Sequence, residues 1–307
     1  MSESIYDVVI IGAGPAGIQA AIHASRKKTS VLLLGRIENS ALYTAHIENY
    51  ACIDGISTGR DLLEAGIAQI TRFGTEISAE DVLKIAQGED ALFTLELESG
   101  RTVTTRTIIF SMGVSKKKLA VPGEKELAGK GVSYCVDCDA NFYRGATVIV
   151  AGNRSAAIDG ALTLLGYANK VYLVAKELKA SESILKRVRE SEVEVLEGTW
   201  VKEIKGENAV TEILLENEET VTVDGIFIEL GSKGALELAT QIGVQLDMEH
   251  FKYIDVTRKQ ETNIPGAYAA GDIVGPPYQM AKAVGEGCVA GMEAATYARN
   301  QKRALNR

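Results

Sequence analysis

An α/β protein built twice from one strand–turn–helix unit is what three observations in the 307-residue sequence predict. Residues 6–22 pass from an apolar run, Val8-Val9-Ile10-Ile11, through Gly12-Ala13-Gly14-Pro15-Ala16-Gly17 into a helix-forming segment. Residues 147–161 repeat that pattern 140 positions later (12 to 152), with Val148-Ile149-Val150 for Val8-Val9-Ile10, Gly152 for Gly12, Ala157 for Gly17 and Ala161 for Ala21. The second strand recurs at the same offset, residues 170–174 answering residues 30–34. Short apolar runs without alternation are strands buried on both faces, and parallel strands need helical crossovers between them. The expected fold is α/β, with two Rossmann-like (three-layer ββα) nucleotide-binding domains.

In the first copy each glycine has a role. Gly12 permits the tight turn, Gly14 leaves room for a pyrophosphate, and Gly17 lets the helix pack on the strand, so that the helix N-terminus faces the phosphates. The strand at 30–34 ends in Gly35-Arg36, where such a site usually places an acidic residue for the ribose; Glu38 is the substitute. A loop at 50–61 enters a helix over 62–73, and alternating runs at 91–97 and 103–110 form a hairpin about Ser99-Gly100. Residues 114–131 break this composition with Lys116-Lys117-Lys118 and Val121-Pro122-Gly123, the mark of a crossover between domains. The lysine run reads as a solvated linker, with docking of an acidic partner as the alternative. After strands at 209–215 and 221–230, Gly231-Ser232-Lys233-Gly234 is the return crossover, which places the second copy inside the first. The chain closes with a short buried strand running into Ala270-Gly271-Asp272, then a small-residue helix through Ala298 whose basic end suits a helix C-terminus. Asp272 is placed to accept hydrogen bonds from the hydroxyls of a cofactor, or else simply closes a Gly-Asp turn.

Composition removes several classes. A net charge of -8 argues against a general nucleic-acid binder. The first residues lack the basic and apolar parts of a signal peptide, and the longest apolar stretch, 8–22, carries three glycines, a proline and a glutamine. A cytoplasmic protein that does not span a membrane is expected. Of the four cysteines, Cys52 and Cys288 read as small buried residues, whereas Cys135-Val136-Asp137-Cys138-Asp139 is a compact dithiol with a carboxylate beside it. Alone, that pair fits a redox centre, half a zinc site or two unconnected cysteines; without a second pair or a histidine cluster, no metal is expected. Asp139 reads as an acid/base group or as a helix N-cap.

These segments, taken together and in order, resemble the low-molecular-weight thioredoxin reductases over essentially the whole chain. The residues that carry the resemblance are Gly12-Ala13-Gly14-Pro15-Ala16-Gly17, Gly131-Val132-Ser133-Tyr134-Cys135-Val136-Asp137-Cys138-Asp139 and Ala270-Gly271-Asp272. The resemblance implies a discontinuous FAD-binding domain (1–113 and 235–307) and an inserted domain (114–234) that carries the dithiol and an NADPH-type fold. It further implies a homodimer, and rotation of the inserted domain about hinges near 114–118 and 232–234. The implied FAD contacts are Gly12, Gly14, Pro15, Ala16, Gly17, Leu42, Asn49, Gly113, Gly271, Asp272 and Gln279. Cys135 and Cys138 would be the redox pair and Asp139 its acid/base neighbour.

Three positions depart from the family. Arg154 stands at a glycine of the second turn, Ala175-Lys176-Glu177 stands where the family has His-Arg-Arg, and Tyr278 replaces the arginine before Gln279. Tyr278 either faces the cofactor or packs. This pattern resembles the subgroup that does without pyridine nucleotides, so the expected donor is ferredoxin and the expected acceptor a thioredoxin-like protein. An NAD(P)H-dependent thioredoxin reductase, a diflavin-linked disulfide oxidoreductase and a flavin-binding redox sensor remain as alternatives.

Overall fold

The computed structural model describes residues 5–114, 118–231, 233–249 and 251–305. The chain divides into two compact units, one of Met1–Leu97, Arg101–Ser115 and Gly234–Arg307, the other of Glu98–Gly100 and Lys116–Lys233. Lys116, Lys117 and Ser232, on which the docking and hinge expectations partly fall, lie outside the described residues.

In the first unit, Tyr6–Ile11 lies between Val31–Leu34 and Thr102–Phe110, parallel to both. Glu76–Ser78 extends one side of this seven-stranded sheet; Phe93–Leu97 and Val82–Gln87 extend the other as antiparallel strands. Ala267–Ala269 pairs in parallel with the far half of Thr102–Phe110, so the end of the chain is built into the sheet. Alternate residues of one strand feed opposite cores, as the period of two requires. Val8, Ile10, Val31 and Leu33 join one buried cluster, and Val9, Ile11, Leu32 and Leu34 join another. The long helix Met280–Leu305 packs against Pro15–Arg26 in the first cluster. A Cβ at Gly287 or Gly291 would stand 2.2 or 2.3 Å from the carbonyl oxygens of Ala16 or Ala20, so the small residues set how closely these helices approach.

The second unit has a five-stranded parallel sheet in the order Glu194–Glu197, Lys170–Ala175, Thr147–Ala151, Gly225–Ile228, Val132–Ser133. A separate antiparallel sheet of Val201–Lys205, Glu212–Leu215 and Thr220–Thr222 shares a buried cluster with it. Ser155–Leu164 is the helix that follows the second glycine turn.

Several boundaries differ from the sequence reading. The helix expected over 62–73 is Gly59–Arg72, because Thr58 caps it by accepting a hydrogen bond from the Asp61 N–H. The run at 221–230 is two strands in two sheets. Asp224 divides them, its carboxylate accepting from the Thr147 N–H at 2.7 Å while its own N–H donates to the Thr147 carbonyl. Cys52 is exposed and Cys288 half-buried, correcting their assignment to the core. Among the described residues no helix is long and apolar enough to cross a membrane.

Candidate functional site

Two sites are assembled, one in each unit. In the first, the turn after Tyr6–Ile11 is sterically closed to side chains. Gly12 has φ +117°, and a Cβ there would meet the Ser111 carbonyl oxygen at 2.5 Å; a Cβ on Gly17 would stand 1.9 Å from the Gly12 carbonyl oxygen. Gly17→Ala is therefore expected to destabilise the protein by about 3 kcal/mol, at the upper end of ordinary overpacking, read as a fall in melting temperature. A Cβ on Gly14 would stand 3.3 Å from Ser40 Oγ and meet no backbone atom within 4 Å, so its bareness keeps clearance on the side of Ser40 only. The helix begins with Pro15, has no acidic residue in its first turn and no side-chain cap from Gly14. Its first N–H groups are left for an outside acceptor, the environment a phosphate needs.

The end of the chain folds back onto this turn. A Cβ on Gly271, at φ +88°, would lie 3.1 Å from the Ala16 Cβ. The Gly271 N–H donates to Glu286 at 2.9 Å, and Lys282 Nζ donates to the carbonyls of Gly271 and Gly275 at 2.8 and 2.7 Å. Asp272 is half-buried, and burial holds its carboxyl above the ordinary range while Lys282 pulls it down. Such a desolvated carboxylate is suited to accepting hydroxyl hydrogen bonds. Asn49 Nδ2 donates to Gln279 Oε1 at 3.2 Å, joining a loop to the start of the last helix. Leu42 packs on the core, Glu38 is exposed on the one-turn helix Ile37–Asn39, and Gly113 opens on empty space at φ +72°. Arg36 is turned to Asp81 at 2.8 Å. Tyr278 shares a hydrogen bond with Tyr253 and is half exposed.

In the second unit, the edge strand Val132–Ser133 leads directly into Cys135, which is joined to Cys138 as a disulfide. Cys135 itself caps the short helix Val136–Asp139, its sulfur accepting from the Cys138 N–H at 3.2 Å. The Asp139 carboxylate makes no capping bond. It accepts instead from Ser133 Oγ at 2.6 Å, and the same hydroxyl accepts from the Cys135 N–H at 3.2 Å. Burial and the Asp139 charge raise the phenol of Tyr143. A cavity of about 230 Å³ lined by Gly129, Val132, Ser133, Asp139, Phe142 and Tyr143 opens onto that carboxylate, and Phe142 is 81% exposed at its rim. A larger cleft of about 530 Å³, between Arg26, Lys27, Lys28 and Arg299, lies at the far end of Pro15–Arg26 from the glycine turn and takes no part in either site.

Ser133, Tyr143, Phe142, Glu286 and Lys282 were not among the residues singled out from the sequence. Their partners are fixed by folding; only the position of Ser133, two before Cys135, gave a local signal.

The profile of the family described as pyridine nucleotide-disulphide oxidoreductase matches residues 6–287. The thioredoxin reductase of Listeria innocua is 33% identical over 99% of this chain and 97% of its own length. The chain belongs to the thioredoxin reductases. Among solved structures, the atypical thioredoxin reductase TRi of Desulfovibrio vulgaris Hildenborough superposes with a TM-score of 0.80, at 33% identity over 95% of this chain and 98% of that one. A ferredoxin-flavin thioredoxin reductase of Clostridium acetobutylicum gives a TM-score of 0.66, at 32% identity over 98% and 99%. The reductase is thus a flavin-dependent disulfide oxidoreductase with FAD as its cofactor. The glycine turn, the free helix N-terminus and the desolvated Asp272 fit that cofactor's pyrophosphate and hydroxyls.

Proposed function

We propose that this thioredoxin reductase takes its electrons from ferredoxin. The observation that carries the reading is the ligand end of the second nucleotide fold. Arg154 is the N-cap of Ser155–Leu164, at the position where the first fold leaves Gly14 bare. A side chain there occupies the space through which a pyrophosphate approaches backbone. After the next strand, Lys176 pairs with Glu216 at 3.0 Å and Lys179 with Glu177 at 2.8 Å. Exposed pairs of this kind contribute at most about 1 kcal/mol, so pairing alone does not exclude a ligand. The charge balance does oppose one, since each lysine is matched by a carboxylate where a 2'-phosphate would need an excess of cations.

The donor is strong enough. Plant-type iron–sulfur proteins lie near about -400 mV and thioredoxin near about -270 mV, which over two electrons is roughly 6 kcal/mol downhill. FAD, when bound, supplies the exchange between one-electron and two-electron transfer. Its holders are Gly12, Gly14, Pro15, Ala16, Gly17, Glu38, Leu42, Asn49, Gly113, Gly271, Asp272 and Gln279. Reduction of the Cys135–Cys138 bond consumes two electrons and two protons. Asp139, fixed by Ser133, is placed to pass a proton to or from the pair. One thiolate then attacks the disulfide of a thioredoxin-like protein to give a mixed disulfide, and the other thiol resolves it. Exposed Phe142 gives that protein an apolar contact next to the cysteines. The active unit is a homodimer.

Anaerobic stopped-flow mixing with reduced ferredoxin, NADPH and NADH tests the donor. Flavin bleaching followed by thioredoxin reduction is expected with ferredoxin alone; rapid bleaching by NADPH overturns the reading. A second reading, NADPH held by Arg154 and Lys176, is favoured by the family's description and by the retained strand–turn–helix of residues 147–164. Counting FAD per chain after denaturation separates both from a diflavin enzyme, for which two are expected.

A further inference from the structure

Carboxylates crowd the dithiol. Asp137 lies between the cysteines and Asp139 directly after them; Glu229 Oε1 accepts from the Val136 N–H at 3.2 Å. Asp159 comes from the helix Ser155–Leu164, and the phenol of Tyr143 faces Asp139. Lys233 is set against two of these carboxylates, Asp137 and Asp159. Its side chain is 3% exposed, and Nζ stands 3.1 Å from Asp137 Oδ2 and 3.0 Å from Asp159 Oδ2.

Position makes this lysine unusual. It leaves the carboxyl end of Gly225–Ile228, the strand beside Thr147–Ala151, and it is the last residue of the second unit before the chain returns to the first at Gly234. A buried ammonium is costly unless paired, and a carboxylate beside a sulfur opposes formation of the thiolate. One lysine offsets both difficulties.

We infer that Lys233 is a positioning residue for the disulfide exchange: by ion-pairing Asp137 and Asp159 it anchors the segment between the two cysteines to the nucleotide-fold helix and neutralises the carboxylate that lies between them in the chain. The inference rests on Cys135 and Cys138 being the reactive pair and is independent of the electron donor. In the chemistry it serves, a cysteine S–H loses its proton, the thiolate attacks a disulfide sulfur, and the electron pair of the broken S–S bond leaves on the departing sulfur. Lys233 makes the first step easier and touches none of the reacting atoms.

The test is alkylation of the dithiothreitol-reduced holoenzyme by iodoacetamide across pH, in a Cys52→Ser/Cys288→Ser background, with mass readout on the peptide holding Cys135 and Cys138. Lys233→Met is expected to raise the midpoint of reactivity by about one pH unit, because Asp137 loses the ammonium of Lys233. Asp137→Asn should lower it, the double variant should fall between the two, and Lys233→Arg should restore the parent value. A lysine that only packs would change melting temperature and leave the midpoint in place, and that result overturns the inference. Should Lys233→Met not fold, Asp137→Asn decides alone: an unchanged midpoint is again fatal. The assay uses neither ferredoxin nor thioredoxin. Failure of the wild-type protein to reduce thioredoxin would instead count against the proposed function.

Discussion

Cys138→Ser and Cys135→Ser are each expected to abolish thioredoxin reduction, with turnover at least about 10⁴-fold below the parent and FAD still bound at one per chain. The two sulfurs form one bond in the short segment that Val132–Ser133 feeds, and the exchange needs one to attack and the other to resolve. A serine oxygen can do neither at neutral pH. The residues proposed to hold FAD belong to the other unit and include neither cysteine, so cofactor content and the flavin spectrum should be unaltered. Measuring coupled thioredoxin reduction beside flavin absorbance checks both halves. Retained turnover in either variant would remove the dithiol from the reaction, and a non-catalytic flavin-binding sensor would then become the better reading.

Asp139→Asn is expected to slow transfer to the disulfide by about 10³-fold, within the range of a lost general acid–base. Its carboxylate makes no capping bond, so the loss is not one of helix stability. Asparagine keeps an acceptor for Ser133 Oγ, now 2.6 Å from Asp139 Oδ2, and keeps the volume at the wall of the 230 Å³ cavity. What it removes is the side chain's capacity to take up and release a proton. Rapid-mixing kinetics of flavin reoxidation by the Cys135–Cys138 disulfide should show the deficit at constant FAD content. Unchanged rates would leave Asp139 with only a structural place.

The fold class was legible because it is written in local patterns. The repeat at 140 residues, the unbroken apolar runs and the paired glycine turns are properties of neighbouring residues, and the strands Tyr6–Ile11, Val31–Leu34, Thr147–Ala151 and Lys170–Ala175 follow them. Val82–Gln87 escaped notice, its pattern interrupted by Lys84 and tied to its partner across a register shift. Asp224 could not be read as a divider, because the Thr147 N–H it accepts from is 77 residues away. The same limit separated cysteines from their surroundings. Cys135 and Cys138 are four letters of sequence, whereas Lys233 meets Asp137 across 96 residues and Glu229 meets Val136 across 93. Nothing in Gly231-Ser232-Lys233-Gly234 marks the lysine as buried; only the folded chain does.

The last helix, Met280–Leu305, lies against Pro15–Arg26 through Gly287 and Gly291, and Ala267–Ala269 completes the sheet that Tyr6–Ile11 begins. During synthesis these pieces leave the ribosome after the uninterrupted stretch of the second unit. That stretch has its full set of strands while the first unit still lacks a wall, so the dithiol unit matures first. The proposed flavin cradle is therefore completed after the dithiol unit, and loss of residues 267–305 would strip a wall from it without touching the cysteines.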